Sequence, residues 1–256
     1  MTPLSYQLYS SRGVAPLADT LRLLADTGYA QVEGYGALYA DPAALGVLQS
    51  GLADTGLTMP TGHFSLEMVR DAPAYALKVA QTLGIRAIFV PYVAEDQRPT
   101  DTEGWAAFGA DLARIAEPFW AAGHAFGWHN HDFEVVATED GDLPLDLILA
   151  ADPRLVLELD VAWALRGGQD PLPLISRHAD RLLAAHVKDI APEGGNADED
   201  GWADVGQGTM DWSGLIGALM HEGCKYFVLE HDKPSDHARF ARRSFAAVQA
   251  MTGTSR

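Results

Sequence analysis

Residues 76–92 read ALKVAQTLGIRAIFVPY. Ala76, Val79, Ala80 and Leu83 recur at three- and four-residue spacing, which predicts one buried helix face. Gly84 follows, the residue best able to close a helix in the left-handed conformation. Next comes IRAIFVPY, a short and almost continuously apolar run of the kind buried on both faces of a parallel sheet. The same helix–glycine–strand phrase recurs at 21–35 (LRLLADTGYAQVEGY), 48–63 (LQSGLADTGLTMPTGH), 120–131 (WAAGHAFGWHNH) and 219–232 (LMHEGCKYFVLEHD). Strands are predicted at 4–10, 30–35, 57–63, 86–92, 125–131, 155–161, 182–189 and 226–232, most of them followed by a helix. Eight βα units in 256 residues predict a (β/α)8 TIM barrel spanning 1–256 as one domain. A doubly wound sheet is the rival, but no G-x-G-x-x-G or P-loop follows an early strand. The one long irregular stretch, 191–212, is expected to be a functional loop or lid.

Composition narrows the setting. Eighteen basic residues against 35 acidic ones give a formal net charge of −17, which repels nucleic-acid backbones and anionic lipid. A nucleic-acid partner is therefore not expected. No apolar run approaches the roughly 18–20 residues of a membrane span, and the first residues do not resemble a signal peptide. One cysteine, Cys224, excludes an internal disulfide framework and fits a reducing compartment, so a cytoplasmic location is the expectation.

The predicted strands change character at their carboxyl ends, the face on which barrels of this kind build their sites. In order these ends carry Gln7 and Tyr9, Glu33, His63, Pro91 and Tyr92, His129 and His131, Asp160, His186 and Lys188, and Glu230 and Asp232. Any one has an ordinary explanation: Asp160 as a helix cap, His186 as a satisfied interior histidine, Glu230 in an ion pair. Together they would be costly inside a barrel unless paired or bound to something. Carboxylate–imidazole sets such as Asp160, His186 and Glu230 suit a divalent ion: Mn2+, Co2+, Zn2+ or Mg2+.

The segments YQLYSSR, QVEGYG, GWHNHDFE, LELDVAWALRGGQDP, HVKDI, GQGTMDW and FVLEHD, in this order, resemble the xylose isomerase-like TIM barrels, and within them the sugar isomerase/epimerase branch. The resemblance implies a divalent metal at the ends of strands five to eight, with Asp160, His186 and Glu230 as three ligands. The fourth position departs from the pattern. Many relatives carry a glutamate in strand five, where this chain has His129-Asn130-His131. Either His129 is the ligand, which alternation favours, or Glu134 reaches in from the loop. Repair endonucleases of the superfamily fit poorly, because Trp163 stands where their additional histidine would be.

The expected chemistry is proton abstraction beside the carbonyl of a ketose or oxo-sugar. His131 is the first candidate base, its ordinary pKa lying near neutrality, and Glu134 the second. Lys188 is expected as an acid or electrophile. Glu33, His63 and Asp232 are candidates for sugar hydroxyls, and Tyr9 and Trp163 for walls under a sugar ring. Arg166 is a candidate for a substrate anion, though it has many acidic neighbours to pair with. The rival on the same scaffold is a lyase, either an inosose-type dehydratase or an enzyme cleaving 3-oxo-glycosides. A non-catalytic sugar-binding barrel is the third reading. The partner expected is a small sugar, and barrels of this group often form homo-oligomers.

Overall fold

The helix–glycine–strand phrase builds the molecule. In the computed structural model, which describes residues 2–253, Gly28, Gly56, Gly84, Gly123 and Gly223 all take positive φ at a helix-to-strand joint. The eight expected strands are present: β1 (Leu4–Gln7), β2 (Gln31–Gly34), β3 (Thr58–His63), β4 (Ala87–Val90), β5 (Ala125–His129), β6 (Leu155–Asp160), β7 (Leu182–Val187) and, after the short pair β8 (Asp189–Ile190) and β9 (Trp202–Ala203), β10 (Tyr226–Leu229). They close in the order β1-β10-β7-β6-β5-β4-β3-β2 with every neighbour parallel. The fold is a TIM barrel. Among the described residues no helix is long and apolar enough to cross a membrane.

Register decides what meets at the top of the barrel. Gln7 pairs with Glu33, His129 with Glu158, and Asp160 with His186. Close approach of β5 and β6 depends on Gly127, where a side-chain carbon would lie 1.7 Å from the Val156 carbonyl oxygen. Several strands end earlier than their side-chain pattern does. β1 stops at Gln7 and the chain turns through a 3-10 segment, Leu8–Ser11, which carries Tyr9. β5 stops at His129, so His131 stands on the following loop rather than on the strand. Asn130 is fully buried and ties the two strand ends together. Its side chain donates to the Asp160 carbonyl (3.2 Å) and accepts from the Asp160 amide (2.9 Å).

The irregular stretch 191–212 is fastened. β8 and β9 pair antiparallel across its base. The Asp189 carboxylate accepts from the backbone N–H groups of Ile190, Gly206, Gly208 and Met210. A side-chain carbon at Gly208 would come within 2.2 Å of that carboxylate, so the loop folds around the acid only with glycine there. Arg239 of α1 (His237–Gly253), the last helix, then clamps the loop through Glu199 and Asp204.

Candidate active site

A cavity of about 520 Å3 opens on the carboxyl face of the barrel. His63, His129, His131, Lys188, Glu230 and Asp232 line its floor, and Tyr9, Tyr35, Pro91 and Tyr92 are among its walls. Each floor residue sits at or just past a strand end, as the alternation predicts. Glu33, Trp163 and Arg166 are not among the lining residues. Glu33 is fully buried, accepting from Gln7 Nε2 and hydrogen-bonded to His186 Nε2, both at 2.8 Å. Trp163 packs beside His131 and Trp202. The Arg166 guanidinium lies over the Trp202 ring, 3.3 Å from its centroid, and donates to the Asp200 carbonyl. Arg166 is thereby tied to the loop.

The three expected metal ligands come together. Donor atoms of Asp160, His186 and Glu230 lie within 4.8 Å of one another, all buried. His186 Nδ1 lies 2.7 Å from Glu230 Oε2. Asp160 does two things at once. Its Oδ1 caps the short helix that follows by accepting from the Trp163 amide (2.8 Å), while Oδ2 stands 3.0 Å from Lys188 Nζ. The cap anticipated from sequence is therefore real and leaves one carboxylate oxygen for the site.

The two candidates for the fourth position are placed differently. Glu134 is fully buried and does not face the cavity; its two oxygens accept from Trp128 Nε1 (2.9 Å) and from the His131 amide (2.8 Å). His129 groups instead with His63, Glu158 and His186, their donor atoms again within 4.8 Å. Its Nε2 is 3.9 Å from Asp160 Oδ2. Glu158 was not among the sequence candidates, and Gln7 was noted at its strand end without a role. The signal for Glu158 was its place two residues before Asp160, on the same face of the strand.

Charge balance shapes the site. Lys188 is fully buried, yet Asp160, Asp232 and Glu230 hold it charged against the effect of burial. Burial and the nearby Lys188 cation push His131 down to about 3, so its imidazole is neutral at neutral pH. That differs from the near-neutral base expected from sequence. Burial raises Asp232 to about 6 and Glu134 to about 8. His186 is raised, Glu158 and Glu230 overcoming burial.

Buried polar atoms without hydrogen-bond partners gather here: Glu158 Oε1, Glu33 Oε2 and His129 Nδ1, with Asp160 Oδ2 held by its ion pair to Lys188 alone. Such groups are costly in a protein interior unless a cation or protons compensate them. The mixture of carboxylate oxygens and imidazole nitrogens suits a divalent ion of borderline hardness, so the residues fit one.

The model of the xylose isomerase-like TIM barrel matches residues 21–250. The chain belongs to this family. Within the xylose isomerase-like TIM barrels it is 40% identical over 96 residues to an inosose dehydratase of Geobacillus kaustophilus, a match covering 37% of this chain. The chain spans only 30% and 52% of the lengths of two curated relatives, that dehydratase being the first. A sugar phosphate isomerase/epimerase of Parabacteroides distasonis superposes with a TM-score of 0.80 at 21% identity, over 97% of this chain and 94% of the other. The IOLI protein, solved with a zinc atom bound, superposes at 0.72 and 14% identity over 98% of each chain. These two likenesses are of fold.

Proposed function

We propose that this chain is a divalent-metal-dependent enzyme that moves a proton at the carbon next to a carbonyl of a ketose or oxo-sugar, as an isomerase or epimerase. The observation that carries this reading is convergence: Asp160, His186 and Glu230 bring donor atoms within 4.8 Å, the first two buried beneath a cavity that Glu230, His131 and Lys188 line. Asp160, His186 and Glu230 would hold the ion. When bound, it supplies Lewis-acid polarisation of the substrate carbonyl.

The remaining work belongs to the side chains. The Lys188 ammonium places fixed positive charge where negative charge develops on the carbonyl oxygen. Neutral His131 has a free nitrogen to accept the α-proton; burial first and the Lys188 cation second hold its pKa down, and negative charge growing on the substrate offsets the second. Glu134 fixes the backbone of His131 and is a positioning residue in this scheme. Asp232, half-buried and bonded to Lys188 at 3.1 Å, stands where a sugar hydroxyl can meet it.

A lyase or dehydratase outcome on the same site is the second reading, favoured by the likeness to an inosose dehydratase. Both begin with the same proton abstraction and part only in whether a β-substituent then leaves.

Asp160→Ala tests the ion: a variant that keeps full divalent-metal content contradicts the assigned ligands. His131→Gln tests the base: solvent deuterium should no longer enter substrate while metal stays bound. Mass spectrometry of products from ketoses, inososes and 3-oxo-glycosides separates the two readings, since only the lyase changes substrate mass.

A further inference from the structure

Glu158 precedes Asp160 by two residues on β6, so it points to the same side of the strand about 6–7 Å deeper in the barrel. The paired register sets His129 of β5 beside it. His63 from β3 and His186 from β7 complete a group whose donor atoms all lie within 4.8 Å, each residue buried. Glu158 Oε2 is the hub: 2.5 Å from His63 Nε2, 3.2 Å from His129 Nδ1 and 3.4 Å from His186 Nε2.

The three imidazoles hold this hub unequally: His63 hydrogen-bonds it closely, while His186 Nε2 lies nearer to Glu33, at 2.8 Å. His129 Nδ1, in a residue 1% exposed, has no hydrogen-bond partner. The far nitrogens of His186 and His129 face carboxylates, as those of metal-bound histidines usually do, whereas that of His63 faces the Gln7 amide nitrogen, itself a donor. His186 Nδ1 meets Glu230, His63 Nδ1 is 3.5 Å from Gln7 Nε2, and His129 Nε2 is 3.9 Å from Asp160. His63 and His129 also line the cavity, which gives an ion a way in.

We propose that His63, His129, Glu158 and His186 form a second divalent-ion site, of zinc class, one layer below the site on which the proposed function rests. Three nitrogens and one carboxylate oxygen match what zinc takes in four-coordination. With four protein ligands the site is closed, so its ion braces the cavity floor rather than touching substrate. His186 touches both sets, Nδ1 beside Glu230 and Nε2 beside Glu33 and Glu158, so with both ions bound it bridges them as an imidazolate and its ring proton is released to solvent.

The test is zinc content after chelation, reloading with zinc and dialysis, measured by mass spectrometry on wild type, Glu158→Gln, His63→Gln and Asp160→Ala. Glu158→Gln and His63→Gln should each lose one zinc equivalent that Asp160→Ala keeps. Loaded with cobalt instead, Asp160→Ala should retain the strong visible bands of a four-coordinate ion, and Glu158→Gln should lose them. Unchanged zinc content and cobalt bands in both Glu158→Gln and His63→Gln, each folded by circular dichroism, overturns the deeper site. Zinc lost only in Asp160→Ala also overturns it while supporting the upper site. Zinc lost only in the two deeper variants does the reverse. A wild type that holds a single zinc equivalent, lost in all three variants, means one ion shared across both sets and overturns a separate second site. If Glu158→Gln does not fold, His63→Gln, which leaves the carboxylate in place, decides the question.

Discussion

Glu134 shows how much a single carboxylate can fix. Both oxygens are engaged, one by the Trp128 indole and the other by the His131 amide, and none of its surface reaches solvent. Glutamine in the same place has one acceptor and one donor, so it can satisfy Trp128 or His131 but not both. One buried N–H would then face another, and an unpaired buried donor costs about 1–3 kcal/mol. We expect Glu134→Gln to lower thermal stability by that amount, read by calorimetry. Solvent deuterium exchange into substrate should slow with little change in metal content, because the loop holding His131 loosens while Asp160, His186 and Glu230 are untouched. Exchange at the wild-type rate, with the stability loss present, would confine Glu134 to a purely structural role. The contrast with Asp160 is instructive. There one oxygen caps a helix and the other stays in the site, so an ordinary structural role and a chemical one occupy the same side chain.

At the scale of elements, the loop 191–212 depends on the last helix. Arg239 donates to Glu199 at 2.8 Å and to Asp204 at 2.9 Å, and both carboxylates are buried. Burial alone would raise Glu199, but hydrogen bonds from Ser235 and Arg239 lower it from 4.5 to about 2. A depressed carboxyl pKa contributes its full stability above the unfolded value and loses it as the pH falls through the folded one. The window is therefore from about 4.5 down to about 2. Arg239→Met should cost about 2 kcal/mol near neutral pH, discounted from a fully buried pair because Arg239 is partly exposed. Thermal melts across pH should show the gap between variant and wild type closing as acid protonates Glu199; a constant gap would assign the loss to packing. This clamp was not legible in the sequence, where the stretch reads only as a long irregular loop. The eight strands were legible, since side-chain alternation and glycine joints are local. Their ends overshot at 4–10, 125–131 and 226–232, because alternation continues after the last ladder hydrogen bond while pairing needs a neighbour the sequence does not display. For the same reason Asp160, His186 and Glu230 could be read from their strand ends, whereas Glu158 shared a strand face with Asp160 in the sequence but met His129 only once register paired them.

For the whole molecule, charge is the term that no local contact cancels. With 35 acidic and 18 basic residues, even complete pairing would leave 17 carboxylates unmatched. The exposed ion pairs are mostly local, such as Arg22 with Asp19, Arg70 with Asp71 and Arg114 with Asp111, and pairs of that kind contribute about 0–1 kcal/mol each. Salt acts on both terms with opposite signs. It weakens the exposed pairs, and it screens the mutual repulsion of the surplus carboxylates, whose range falls from about 30 Å at 0.01 M to about 8 Å at 0.15 M. Repulsion across a surface this acidic involves many distant partners, and those are the interactions a shorter screening length removes first. Raising sodium chloride from about 0.01 M to about 0.15 M should therefore raise the melting temperature, by about 2–4 °C for each kcal/mol of repulsion removed in a chain of roughly this size. The measurement needs a chelator throughout, so that a divalent ion taken up at the proposed site does not stabilise the fold by mass action. A melting temperature that falls with salt would mean that the ion pairs outweigh the net charge, and would move the source of stability from the barrel to its surface.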